Sequence, residues 1–66
     1  MITIQMNGKK TAVKEGHVSD LLSHHGYDDR RVVVELNGDI LRRESWGEAP
    51  LRDGDRVEII GFMGGG

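Results

Sequence analysis

The chain has 66 residues, of which 36% are hydrophobic and 30% charged, with a net charge of −2 and no cysteine. That length and polarity fit one small globular domain, and they exclude disulfides, thiolate metal sites, cysteine nucleophiles and iron–sulfur clusters. There is no basic field to hold nucleic acid, and the apolar runs are far too short to span a membrane, so a soluble cytoplasmic protein is expected.

Ile2, Ile4 and Met6 alternate with Thr3 and Gln5, the period-2 pattern of a half-buried strand. Asn7-Gly8 follows, a dipeptide suited to a tight hairpin because both central positions want positive φ. Residues 9–14 then read as a short return strand. Glu15-Gly16 is a turn, and Val18, Leu21, Leu22 and His25 fall at i, i+3, i+4 and i+7, one face of a short helix starting at His17 or Ser19. Gly26 falls where a left-handed C-terminal cap belongs. Residues 27–31 are a polar connection with a tight turn. Val32 to Leu36 form a third strand, Asn37-Gly38 repeats the hairpin signal, and Ile40-Leu41 begin a short fourth strand. Arg42 to Pro50, which includes the single Trp46, read as irregular. Asp53-Gly54 is a turn that launches a last strand from Arg56 to Ile60.

Two hairpins therefore flank one helix, and the first and last strands can lie side by side in mid-sheet. The expected fold is α+β, a ubiquitin-like β-grasp: a mixed sheet of four to five strands packed on one helix. Residues 1–60 form the domain and residues 61–66 a flexible glycine-rich tail.

Little in the body of the chain suggests catalysis. His24 and His25 are adjacent on a helix and point about 100° apart, so they do not share a metal comfortably, and His17 has no ligand partners nearby; no metal site is expected. Asp53 and Asp55 flank Gly54, where aspartate serves local turn hydrogen bonds. Ser19, Ser23 and Ser45 lack a nucleophile-elbow context, and no glycine-rich phosphate loop opens a helix. The chain is expected to bind no cofactor and not to be an enzyme.

The end of the sequence, Gly61-Phe62-Met63-Gly64-Gly65-Gly66, is the informative stretch. Fully extended, it reaches roughly 20 Å at about 3.3–3.6 Å per residue, enough to enter a partner's cleft, although a frayed end would have the same composition. Gly64, Gly65 and Gly66 fit a slot too narrow for side chains, and Gly66 offers a carboxylate. An ionised carboxylate is a poor electrophile. To react it must be activated by another enzyme, most simply as an acyl-adenylate, with cationic or metal stabilisation supplied there. If Val57 and Ile59 face the helix, then Glu58, Ile60 and Phe62 face away and Val33 shares that side; with Met63 alongside, these residues suggest a docking patch beside the tail.

The block Val32 to Gly38, the run Leu51 to Ile60 with its Asp-Gly-Asp turn, Trp46, and the Gly-Gly end together resemble the ThiS-type sulfur-carrier family of thiamine (thiazole) biosynthesis. The resemblance covers essentially the whole chain. It implies that an adenylating, E1-like partner uses ATP and magnesium to activate the carboxylate of Gly66. Sulfur from a cysteine-desulfurase pathway converts the adenylate to a thiocarboxylate, and thiazole synthase consumes it. The free carrier would be a monomer. His17 stands where a threonine-like cap would be ordinary, and Met63 where a branched apolar residue would be usual. Carriers for molybdopterin or tRNA thiolation share the tail chemistry, a protein-conjugating ubiquitin-like modifier shares the fold, and a plain β-grasp interaction module would carry the glycines incidentally.

Overall fold

In the computed structural model, which describes residues 1–61, the elements follow the expected order. They are β1 (Ile2–Met6), β2 (Lys9–Val13), α1 (Val18–His24), β3 (Val32–Leu36), β4 (Asp39–Leu41), a 3₁₀ helix (Arg43–Glu48) and β5 (Arg56–Gly61). The sheet has five strands in the order β2-β1-β5-β3-β4. β5 is central, parallel to β1 and antiparallel to β3. This is the mixed sheet on one helix of the β-grasp.

Both hairpins turn through Asn-Gly, with φ of 51° and 81° at Asn7 and Gly8 and 52° and 91° at Asn37 and Gly38. Two successive positive φ values match the strand twist, which is why this dipeptide is favoured in such turns. One face of the sheet is sealed by α1: Val18, Leu21 and Leu22 pack with Ile4, Val13, Val34, Val57 and Ile59 in a single core, joined by Trp46 and Leu51.

The helix starts at Val18, after His17. The His17 N–H donates to Asp20 Oδ2 at 2.8 Å, the backward half of a capping box. It ends in a Schellman motif: Gly26 N–H reaches the Ser23 carbonyl at 3.1 Å and Tyr27 N–H the Leu22 carbonyl at 3.0 Å. His25, placed by its spacing on the apolar face, is exposed instead; its Nδ1 lies 3.1 Å from the Leu21 carbonyl, in the capping turn rather than under the helix.

Three further positions differ from the pattern reading. Arg43–Glu48 is helical rather than irregular; the turn buries Trp46 to 5% exposure and directs its Nε1–H to the Leu41 carbonyl at 3.0 Å. Gly61, assigned by pattern to the tail, is the last residue of β5 and faces Val32. Asp53 does more than close its own turn: its Oδ1 accepts the Thr3 N–H at 2.8 Å, fifty residues away in sequence.

Candidate functional site

Residues 62–66 follow β5 directly in the chain, so what holds β5 fixes the point from which they start. On the β1 side, backbone pairing is short, with only Gln5 and Met6 opposite Arg56 and Val57. The lane is lengthened at both ends. Gly54 N–H bonds the Thr3 carbonyl at 2.8 Å, Gln5 N–H the Asp55 carbonyl at 2.8 Å, and Asn7 N–H the Val57 carbonyl at 2.9 Å. Beyond that point β1 has turned away, and the Asn7 side chain takes its place by accepting the Ile59 N–H on Oδ1 at 2.7 Å.

Asn37 does the same from the other side, accepting the Arg56 N–H on Oδ1 at 2.9 Å and donating Nδ2–H to Asp55 at 3.0 Å. The two turn asparagines therefore serve twice, once for positive φ and once as substitute strand. The Asn-Gly motif carries only the first role; the second required knowing which strand lies beside each turn.

The face of the sheet away from α1 is open. Val33 and Ile60 are direct cross-strand neighbours on it, 38% and 52% exposed. The structure thus brings together the two described residues of the expected patch. Phe62, Met63, Gly64, Gly65 and Gly66 lie outside the described residues. Ile40 also presents an exposed apolar side chain, 71% accessible, opposite Glu35. It belongs with the patch and was missed because its alternation runs over only three residues. Glu35 and Glu58 face each other one step from Val33 and Ile60, and Lys10, Gln5 and Arg56 line a shallow groove towards the start of β5.

Among the described residues, no group of three or more His, Cys, Asp or Glu is placed to hold a metal, and no helix is long and apolar enough to cross a membrane. The ion pairs within 4.0 Å among them are His17–Asp20, Arg30–Asp28 and Arg31–Asp28. Asp28 is held below the usual carboxylate range: the Arg30 backbone N–H that donates to it outweighs the opposing desolvation, and the Arg30 side-chain bond and the Arg30 and Arg31 charges add to the lowering.

Comparison with known proteins places this architecture. The chain is 38% identical over 65 residues to the sulfur carrier protein ThiS of Bacillus subtilis, covering 96% of this chain and 98% of that one. It superposes on the crystal structure of the thiamine biosynthesis protein ThiS from Geobacter metallireducens with a TM-score of 0.84 at 39% identity, over 98% of this chain and 100% of that one. It is also 43% identical over 49 residues to a thiazole synthase of Paramagnetospirillum magneticum, matching 74% of this chain but only 15% of that protein. The ThiS family profile matches residues 4–66, from the first strand through the last glycine, and the chain belongs to the ThiS family.

Proposed function

We infer that the chain is a sulfur carrier of thiamine biosynthesis and is acted upon rather than catalytic. The observation that carries this reading is a family match running unbroken from the fold into the terminal glycines. A carboxylate oxygen of Gly66 attacks the α-phosphate of ATP in an adenylating partner, and pyrophosphate leaves. Magnesium and cationic side chains of that partner offset the like charges brought together. The outer sulfur of a persulfide from a cysteine-desulfurase pathway then adds to the acyl carbon and AMP departs, and a thiol reduces the resulting acyl disulfide, giving the thiocarboxylate and a disulfide. The carrier itself supplies reach, a slim backbone at Gly64, Gly65 and Gly66, and a docking surface. Val33, Ile60, Phe62 and Met63 form that surface, working in the cytoplasm.

Thiazole synthase is the proposed acceptor. Thiazole synthases align with this chain over a minor part of their own length, 15% in one case and 20% in another. A ThiS-like region joined to a synthase in one chain favours the thiazole route over molybdopterin or tRNA thiolation.

The test is intact-protein mass spectrometry after incubation with ATP, magnesium, the adenylating enzyme and a sulfur source. The expected result is a gain equal to replacing one oxygen by sulfur, absent when Gly66 is deleted. An unchanged mass in the presence of a partner that binds the chain would instead make the protein an interaction module.

A further inference from the structure

Both asparagines of the chain are followed by glycine, at Asn7-Gly8 and Asn37-Gly38. Asparagine is a chemically labile side chain, and glycine is the least hindered residue to follow it, because no Cβ screens its nitrogen. That nitrogen can add to the asparagine Cγ and displace the side-chain nitrogen. The two turns give this reaction different surroundings. Asn7 closes a hairpin with five facing residue pairs, and its side chain is held by a part-buried bond from the Ile59 N–H at 2.7 Å. Nothing lies within 4 Å of where a Cβ on Gly8 would stand.

Asn37 closes a hairpin with only three facing pairs, against the edge strand β4. Its side-chain bonds, from the Arg56 N–H and to Asp55, are both exposed. A short, exposed turn at a sheet edge opens locally at a smaller cost, so its Cγ is more often free of β5 to meet the Gly38 nitrogen. A cation is already there: the Arg56 Nη2 lies 3.8 Å from where a Cβ on Gly38 would stand. Arg56 takes part in no ion pair within 4.0 Å among the described residues. A guanidinium beside the Gly38 N–H favours loss of its proton and stabilises the oxyanion that forms at Cγ.

We propose that Asn37 is a site of spontaneous modification, where loss of the side-chain amide, promoted by Arg56, loosens the start of β5. The Gly38 nitrogen gives up its proton and bonds to Cγ, the bond from Cγ to Nδ2 breaks, and ammonia leaves a succinimide ring behind. Water then opens the ring at either carbonyl, giving aspartate or, with the chain routed through the side chain, isoaspartate. In the aspartate product an oxygen stands where Nδ2–H donated to Asp55 Oδ1 at 3.0 Å, so an attraction becomes repulsion between two carboxylates. Isoaspartate adds a methylene to the turn and carries the acceptor of the Arg56 N–H out of register. Aspartate at position 7, by contrast, keeps an oxygen for the Ile59 N–H.

The test is peptide mapping by mass spectrometry on the natural chain incubated for days in mildly alkaline buffer, with isoaspartate scored by enzymatic methylation. Asn37 loses its amide several-fold faster than Asn7. Arg56→Gln, a change at an exposed position, slows the loss at Asn37 and leaves Asn7 as it was. In urea, where neither turn is formed, the two rates converge. Asn37→Asp, which installs one product directly, lowers the thermal midpoint by a few degrees and speeds hydrogen exchange at the Arg56 amide, whereas Asn7→Asp does less. Equal or faster loss at Asn7, or an Asn37 rate indifferent to Arg56→Gln, would overturn the proposal. So would a difference between the sites that persists in urea, or an Asn37→Asp midpoint equal to that of the natural chain.

Discussion

The two faces of one sheet differ in what they bury. The face under α1 collects Ile4, Val13, Val34, Val57 and Ile59, all buried. The opposite face, built from alternate residues of the same strands, carries Thr3, Gln5, Lys10, Val33, Glu35, Ile40, Arg56, Glu58 and Ile60, none of them buried. Because side chains alternate along a strand, each residue of β5 faces the core or the open side and never both. The domain's small core must therefore be drawn almost wholly from one side, and the other side is left to solvent-facing residues, including Glu35 directly opposite Glu58.

Substitutions can break this division or sharpen it. The largest effect is expected on the covered face. Ile4→Ala removes a side chain with 1% exposure and should cost about 2–5 kcal/mol, read as a lower urea midpoint or outright unfolding, with any loss of loading following from unfolding. Next comes the seam that holds β5. Asn7→Gly keeps the positive φ but removes the acceptor of the Ile59 N–H; a loss of about 1 kcal/mol is expected, with faster hydrogen exchange at the Ile59 amide. On the open face, Ile60→Ser should change stability by no more than about 0.5 kcal/mol yet weaken binding to the adenylating enzyme in a pull-down or titration. A large stability loss there would show that the open face also belongs to the core.

The smallest effect belongs to Asp28. Its carboxyl is depressed in the folded state by the Arg30 N–H. Its contribution is therefore present above the unfolded aspartate pKa of about 3.9 and is lost as the pH falls through the lower folded value. Asp28→Asn should lower the midpoint slightly at neutral pH, converge with the natural chain below the folded pKa, and so flatten the acid limb of a thermal pH profile.

The strands, hairpins and helix were legible because each has a local cause. Period-2 alternation at Ile2, Ile4 and Met6, the two Asn-Gly turns, and Gly26 after an apolar helical face all act within a few residues. Even the outward placement of Val33 and Ile60 followed from parity alone. The 3₁₀ helix did not, because Arg43–Glu48 has no apolar repeat and is held by a single long-range event, the burial of Trp46. Glu35 opposite Glu58 was likewise out of reach: each is an ordinary exposed acid in sequence, and only the β3–β5 register makes them neighbours. Ile40 fell between these cases, with a correct strand assignment but too short a strand to reveal its face.

The grip on β5 has a mechanical consequence. A pull on the chain beyond Gly61, directed along β5, loads that strand lengthwise. The backbone bonds to β3, the short parallel seam to β1 and the Asn7 and Asn37 side chains all run across that axis. Such bonds share a longitudinal load in shear and must fail together, whereas an edge strand peeled sideways would lose them one at a time. Whatever follows Gly61 is thus attached to a strand gripped from both sides, where a lengthwise load is spread over all these bonds at once.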